Sequence, residues 1–346
     1  MPLLDTLRAQ PLQGRTVLFA TVYGSKLYGC DLPGSDHDIR GVYAPGLHDV
    51  LSGWRDSAAA LPYDPALGAS TDVLFYEVAD FVGQVLAMKN NCVEIFCAAE
   101  QSAADGAPLH PLMAYLSARR GDLLTANPEA FVGHARQRCS PYVPGIDPRD
   151  TTLMSNIAAL ELARAALASD PAAGAWRLAD VPGLLDALTA LPRVSIAPNK
   201  QGVEVLYIHT RQADLTTPLA AFATTLQQRV DRFQKRGDEV DDRTRFKDLS
   251  TALRMMESAA VLMETGRITF PVPTAERHRA IRLGQHDVPT ILGWIDEAQT
   301  AVDSAKAASA LRSPLLPDEE AALRADLTAE VRLRCLHALG LPETLP

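Results

Sequence analysis

An apolar, β-branched run, RTVLFATVY, closes at Tyr23 on a Gly24-Ser25 step. A second run, DIRGVY, is opened by Asp36-His37-Asp38. Few folds accommodate this order. Both runs read as buried strands, because β-branched and aromatic residues fill a pleated surface well. In a strand, residues i and i+2 point to the same side. Asp36 and Asp38 would therefore aim two carboxylates into one place, beside a turn. Ionised carboxylates at such spacing repel each other, so the pattern calls for positive charge between them.

The rest of the chain divides by pattern. SKLYG reads as a short helix or turn, and DIRGVYAP is stopped by Pro45 and Gly46. LSGWRDSAAALPYDPALGAS has little periodicity and reads as a loop. TDVLFYEV is a third strand, ADFVGQVLAMK a helix, and NNCVEIFCA fits either state. From about residue 105 the chain turns helical and rich in Ala and Leu. Helices are expected over TTLMSNIAALELARAALA, DVPGLLDALTAL, TTPLAAFATTLQQRVDRFQKRG and RTRFKDLSTALRMMESAAVLMETG. AERHRAIRLG and the segments 288–309 and 317–339 follow, with Gly237, Gly266 and Gly284 as stop signals. The expected organisation is an α/β domain over 1–115 and a mostly α-helical domain over 116–346. AADGAPLHP breaks the pattern near the boundary.

Composition narrows the classes. With 346 residues, 47% of them hydrophobic, two cores are affordable. A net charge of −9 argues against nonspecific coating of nucleic acid, while leaving room for a local basic cleft. No apolar run is long enough for a membrane span. The segment MPLLDTLRAQPLQGR lacks the layout of a signal peptide. The five cysteines, Cys30, Cys92, Cys97, Cys139 and Cys335, are odd in number and show no CxxC spacing. A reduced, cytoplasmic setting is the expectation.

Carboxylate oxygens suit hard cations such as Mg²⁺. Two such ions can clamp a phosphoryl transfer, activating the attacking oxygen and stabilising the leaving one. A pair of metals ordinarily needs a third carboxylate, and Asp72 opens the next strand. Gly24 would let a phosphate approach the backbone, a following helix start would offer N–H groups, and the Ser25 hydroxyl would add a donor. The plainer alternative is that DxD is a solvated loop motif, as most such motifs are. The combination of turn, DxD and third Asp on successive strands is the more specific signal.

These residues carry a resemblance. GSKLYGCDLPGSDHDIRGVY resembles the signature of the polymerase-β-type nucleotidyltransferase superfamily: Gly-Ser, about ten residues, Asp-x-Asp, and a third Asp on a later strand. The fuller string Gly-Ser-x-x-Tyr-Gly, Ser-Asp-x-Asp and Gly-Val is most similar to the RlaP/YcgL-like branch of predicted nucleotidyltransferases linked to RNA repair. TDVLFYEVADFVGQVLAMKNNCVEIF and FKDLSTALRMMESAAVLMETGRITFPVP are similar to two further blocks of that branch. The resemblance covers roughly residues 15–100 and 243–286, and 131–240 match only loosely. It implies an α/β (α+β) catalytic domain on a mixed sheet, followed by helices. It also implies two Mg²⁺ ions (or Mn²⁺) on Asp36, Asp38 and Asp72, the last also a candidate base. A nucleoside triphosphate would be the donor, bound at Gly24 and Ser25.

Lys247 and Arg254 lie about two turns apart, on one face of the longest helix. A triphosphate needs cations opposite its metals, and the branch carries Lys and Arg at these places. It also has a His between them, where this chain has Thr251. The plainer alternative is a solvated face with ordinary surface charges. His37 should point away from the aspartates, and Lys26 is a candidate phosphate contact. Glu94 fits a branch Glu or a helix cap. Cys30 lacks partners for a nucleophile, Met255 and Met256 read as core, and Asp241 and Asp242 as a solvated linker.

The expected function is Mg²⁺-dependent transfer of a nucleoside monophosphate to an acceptor hydroxyl, an RNA end among the candidates. The alternatives are a noncatalytic nucleotide- or RNA-sensing module, which would ordinarily lose an aspartate, and a protein-nucleotidylating enzyme of the toxin–antitoxin type.

Overall fold

The computed structural model describes residues 14–52, 59–60, 71–142, 148–199, 202–208, 211–237 and 242–341. Most of the segment weighed as a signal peptide, most of the loop expected over 51–70, and Asp241 lie outside them. The elements run in order as β1 (Thr16–Tyr23), α1 (Gly24–Leu27), β2 (His37–Ala44), α2 (Leu47–Leu51), β3 (Ala59–Ala60) and β4 (Thr71–Glu77). Next come α3 (Val78–Leu86), α4 (Asn90–Ala104), α5 (Pro111–Ala118), α6 (Arg120–Leu123) and α7 (Glu129–Cys139). Then follow α8 (Pro148–Ser169), α9 (Leu184–Thr189), β5 (Val194–Pro198), β6 (Glu204–Ile208), β7 (Arg211–Asp214) and α10 (Leu219–Gly237). The chain closes with α11 (Asp242–Thr265), α12 (Ala275–Arg282), α13 (Val288–Ala308) and α14 (Pro317–Ala338).

Two compact units result. The first combines 1–138 with 246–346, and the second is 139–245. The sequence reading draws one boundary near 115, whereas the first unit is discontinuous. Helix α11, with Lys247, therefore belongs to the same unit as the strands.

The sheet of the first unit has the order β1-β2-β4-β3. β1 is antiparallel to β2, β2 is parallel to β4, and β3 is antiparallel to β4, so the sheet is mixed, as expected. The parallel step from β2 to β4 is what brings the DxD strand and the Asp72 strand to the same end. Ile39, Val73 and Phe75 are buried on one face. Gly41 lies in β2 opposite Phe75, and a β-carbon there would sit 2.5 Å from the Phe75 ring. Its absence is what allows the ring to cross the strand. Helix α3 is capped by Glu77, whose side chain accepts from the Ala79 and Asp80 N–H groups. Those two bonds satisfy donors that a helix start leaves free.

The second unit has its own core, in which Leu160, Ala163, Leu178, Leu206, Phe222 and Leu226 are buried. It contains an antiparallel sheet in the order β5-β6-β7. The sequence reading describes this stretch only through its helices. DVPGLLDALTAL, expected to be helical throughout, is helical only over Leu184–Thr189. No helix among the described residues is long and apolar enough to cross a membrane.

Candidate functional site

Register decides which side chains meet. Tyr23 pairs with Asp38, and Asp38 pairs with Asp72. Residues opposite each other on adjacent strands share a face, so Tyr23, Asp38 and Asp72 form a row across three strands. The Asp38 and Asp72 carboxylates thus lie on one side of the sheet, the side away from Ile39 and Val73. Asp36 precedes β2 and is exposed.

Gly24 follows Tyr23 and turns the chain towards this row. Its φ is +64°, in the left-handed region that glycine adopts without strain. A β-carbon on Gly24 would lie 2.2 Å from Asp38 Oδ2. The turn therefore closely approaches the carboxylate, and a side chain at this position would have to displace it. Ser25 sits one position further, in the single-turn helix α1, where its carbonyl accepts from the Cys30 N–H at 2.9 Å.

The carboxylates sense one another. Partial burial raises the Asp38 pKa above its ordinary value, and the negative charges of Asp72 and Asp36 push the same way. Arg40 and Lys247 oppose the rise. Lys247, at the start of α11, is exposed, and its positive charge acts on Asp38 in the direction that lowers the pKa.

Arg40 was missed. It lies two residues after Asp38 and so shares its face. One guanidinium nitrogen donates to Asp72 Oδ2 at 2.7 Å, and another donates to the Ile39 and Asp72 carbonyls at 3.0 Å. The guanidinium also stands 5.7 Å from the Tyr23 ring centroid. Its side chain is 13% exposed, against 67% for Asp72. The charge between the carboxylates is thus supplied in part by the protein itself. The i+2 spacing of Asp38 and Arg40 was the available signal.

Arg254 departs from its expected place on an open face. It is buried, and its guanidinium donates to Glu94 Oε1 at 2.7 Å while lying 3.4 Å from the Tyr28 ring centroid. Glu94 Oε2 accepts from the hydroxyls of both Tyr28, at 2.8 Å, and Tyr23. Burial works against the charge of Arg254, but the Tyr28 and Glu94 groups outweigh it and leave its pKa above the ordinary value. Burial, reinforced by Glu94, raises both tyrosine hydroxyls. Removing one partner of such a buried pair strands the other charge, at a cost of about 3–5 kcal/mol. Arg254 is held as a structural cation rather than offered to a ligand. Glu94 is correspondingly the centre of a buried cluster and caps no helix.

Lys26 meets His37, with Nζ 2.8 Å from Nε2. Cys30 is buried. Met255 and Met256 are core residues, as expected.

Among the described residues, no group of three or more His, Cys, Asp or Glu side chains is gathered closely enough to hold a metal ion. In donor type the site suits a hard cation: three carboxylates act on one another at Asp38, and positive charge there relieves them. A scan against protein-family models finds no match, and neither a search of curated proteins nor one of solved structures finds one.

Proposed function

We propose that this chain is a nucleotidyltransferase that moves a nucleoside monophosphate from a triphosphate to an acceptor hydroxyl. The observation that carries the reading is the setting of Asp38: Gly24 of the turn closely approaches it, Asp72 stands beside it, and the Lys247 charge acts on it. Phosphoryl transfer asks a protein chiefly for positioning and for positive charge around developing negative charge. Mg²⁺ held by Asp36, Asp38 and Asp72 would supply that charge on the carboxylate side. Lys247 supplies it on the far side. Helix α1 is one turn long and carries little macrodipole, so more of the neutralisation falls on Lys247. The triphosphate lies against Gly24 and Ser25, whose hydroxyl donates to it.

In the transfer, the acceptor oxygen attacks the α-phosphorus, the bond to the pyrophosphate oxygen breaks, and the acceptor proton passes to a carboxylate. Asp72 Oδ2 is already engaged by Arg40, so Asp72 takes that proton only if the guanidinium lets go. An RNA end is one acceptor the resemblance implies.

The same ion pair favours a second reading, a noncatalytic nucleotide sensor in which Arg40 stands where a metal would. Incubation with each labelled nucleoside triphosphate, Mg²⁺ and total RNA or lysate separates the two. Label appears on an acceptor and disappears in the double variant Asp36→Asn/Asp38→Asn if the enzyme reading is right. Binding without transfer supports the sensor. Transfer at the parent rate by the double variant overturns the role of the carboxylates.

A further inference from the structure

The Gly24-Ser25 turn is bracketed by two tyrosines whose hydroxyls reach the same oxygen. Tyr23 precedes the turn and Tyr28 follows α1, yet both donate to Glu94 Oε2, on α4. Their rings meet edge to face, with centroids 5.8 Å apart and planes at 70°. The other Glu94 oxygen binds Arg254, on α11, which also stacks on Tyr28. One buried carboxylate therefore ties together three things distant in sequence. These are the two ends of the turn, the helix α4, and the helix that carries Lys247 two turns before Arg254.

We infer that Glu94 and Arg254, through Tyr23 and Tyr28, are positioning residues that hold the Gly24-Ser25 turn and Lys247 at a fixed separation, and so set the affinity for the triphosphate. The inference rests on the proposed nucleotidyltransferase reading. The physical reason is preorganisation. A one-turn helix is marginal by itself, and a turn free to shift must be ordered each time a ligand binds. A cluster fixing both ends pays that entropy during folding. The cluster is buried beneath the site, so its members act without touching the nucleotide.

Tyr28→Phe and Tyr23→Phe test this, because each removes one hydroxyl, keeps the ring and leaves the Glu94–Arg254 pair intact. Three quantities are read on the full chain: melting temperature, Kd for ATP with Mg²⁺, and Kd for Mn²⁺ alone. Hydrogen exchange at the amides of 24–30 is followed in the same proteins. The expected result is faster exchange confined to that segment and ATP binding weakened about fivefold. Mn²⁺ binding stays within about twofold, since Asp38 and Asp72 sit on β2 and β4, neither of which carries a member of the cluster. A merely structural role would weaken both ligands together or neither. Exchange at 24–30 equal to the parent's overturns the inference, whatever the nucleotide does. Faster exchange with unchanged ATP affinity also overturns it. A parent chain that binds neither ATP nor Mn²⁺ overturns the functional reading itself, and with it the claim about affinity. The exchange data would still show whether the cluster fixes the turn.

Discussion

A β-carbon on Gly24 would stand 2.2 Å from Oδ2 of Asp38. The turn residue and the DxD carboxylate therefore constrain each other. Gly24→Ala asks the alanine for a left-handed backbone, costing roughly 1–2 kcal/mol, and also pushes the carboxylate out of its row. The expected outcome is a melting temperature a few degrees lower, with Mn²⁺ binding weakened in the folded protein. Calorimetry and Mn²⁺ titration check both. If the backbone cost alone matters, the metal affinity will not move.

Asp38 is costly to the metal-free fold. Its folded pKa lies above the ordinary carboxylate value, so the folded chain binds its proton more tightly than the unfolded chain does. Stability then falls as the pH rises from the ordinary carboxylate value through the folded one, and the full cost is present at neutral pH. Asp38→Asn removes the charge and keeps the volume. The variant should melt above the parent at pH 7 without metal, with a gain that vanishes at pH 3. Equal melting temperatures at pH 7 would mean that Arg40 and Lys247 fully compensate the carboxylate.

On the proposed reading, Arg40 and a metal ion would compete for Asp72. Arg40→Gln releases Asp72 Oδ2 and removes a cation from beside Asp38. Mn²⁺ alone should bind about two- to fivefold more tightly to the variant, the range expected for freeing a partly exposed ion pair. Without metal the same variant should melt lower, since the carboxylates lose their counter-charge. The opposite signs make the pair of measurements informative: weaker Mn²⁺ binding would show that Arg40 orients Asp72 for the metal.

The sequence made the three long strands legible, because each is an apolar run closed by a breaker, and it made the carboxylates legible through their spacing. The ends of α10, α11, α13 and α14 followed from helical period and stop signals. Arg40 escaped notice because its grip on Asp72 depends on the β2–β4 register, which no local pattern specifies. Arg254 was misplaced for a related reason. Helical period puts Lys247 and Arg254 on one face but says nothing of how deep that face lies at each turn, and α11 runs from solvent at Lys247 into the interior at Arg254. The β5–β7 sheet went unread because its strands are short and follow a long Ala- and Leu-rich helical stretch.

The thiols should be inert in the native protein. Cys30, Cys92, Cys97, Cys139 and Cys335 are all buried, and none forms a disulfide. Burial pushes the Cys97 thiol up to about 11 and the Cys335 thiol up to about 12. Little thiolate exists at neutral pH, and thiolate is the reactive form. An aromatic disulfide reagent at pH 7.5 should label none of them quickly, and all five after denaturation. Fast labelling of a single thiol would reveal local opening near that residue.

Because the first unit is interrupted, its parts become available at different times. During synthesis Asp36, Asp38 and Asp72 emerge early, whereas Lys247 and Arg254 emerge only after the whole of 139–245. The return point is fastened by Arg138, which donates to Asp248 at 2.8 Å. Closing so long an intervening segment costs little more than closing one half its length, about 0.6 kcal/mol per doubling. The delay is therefore a matter of order rather than of stability. Until the last third of the chain appears, the nascent protein holds a cluster of acids without its lysine, and Glu94 without its arginine. The site matures late, after the inserted unit has had time to fold.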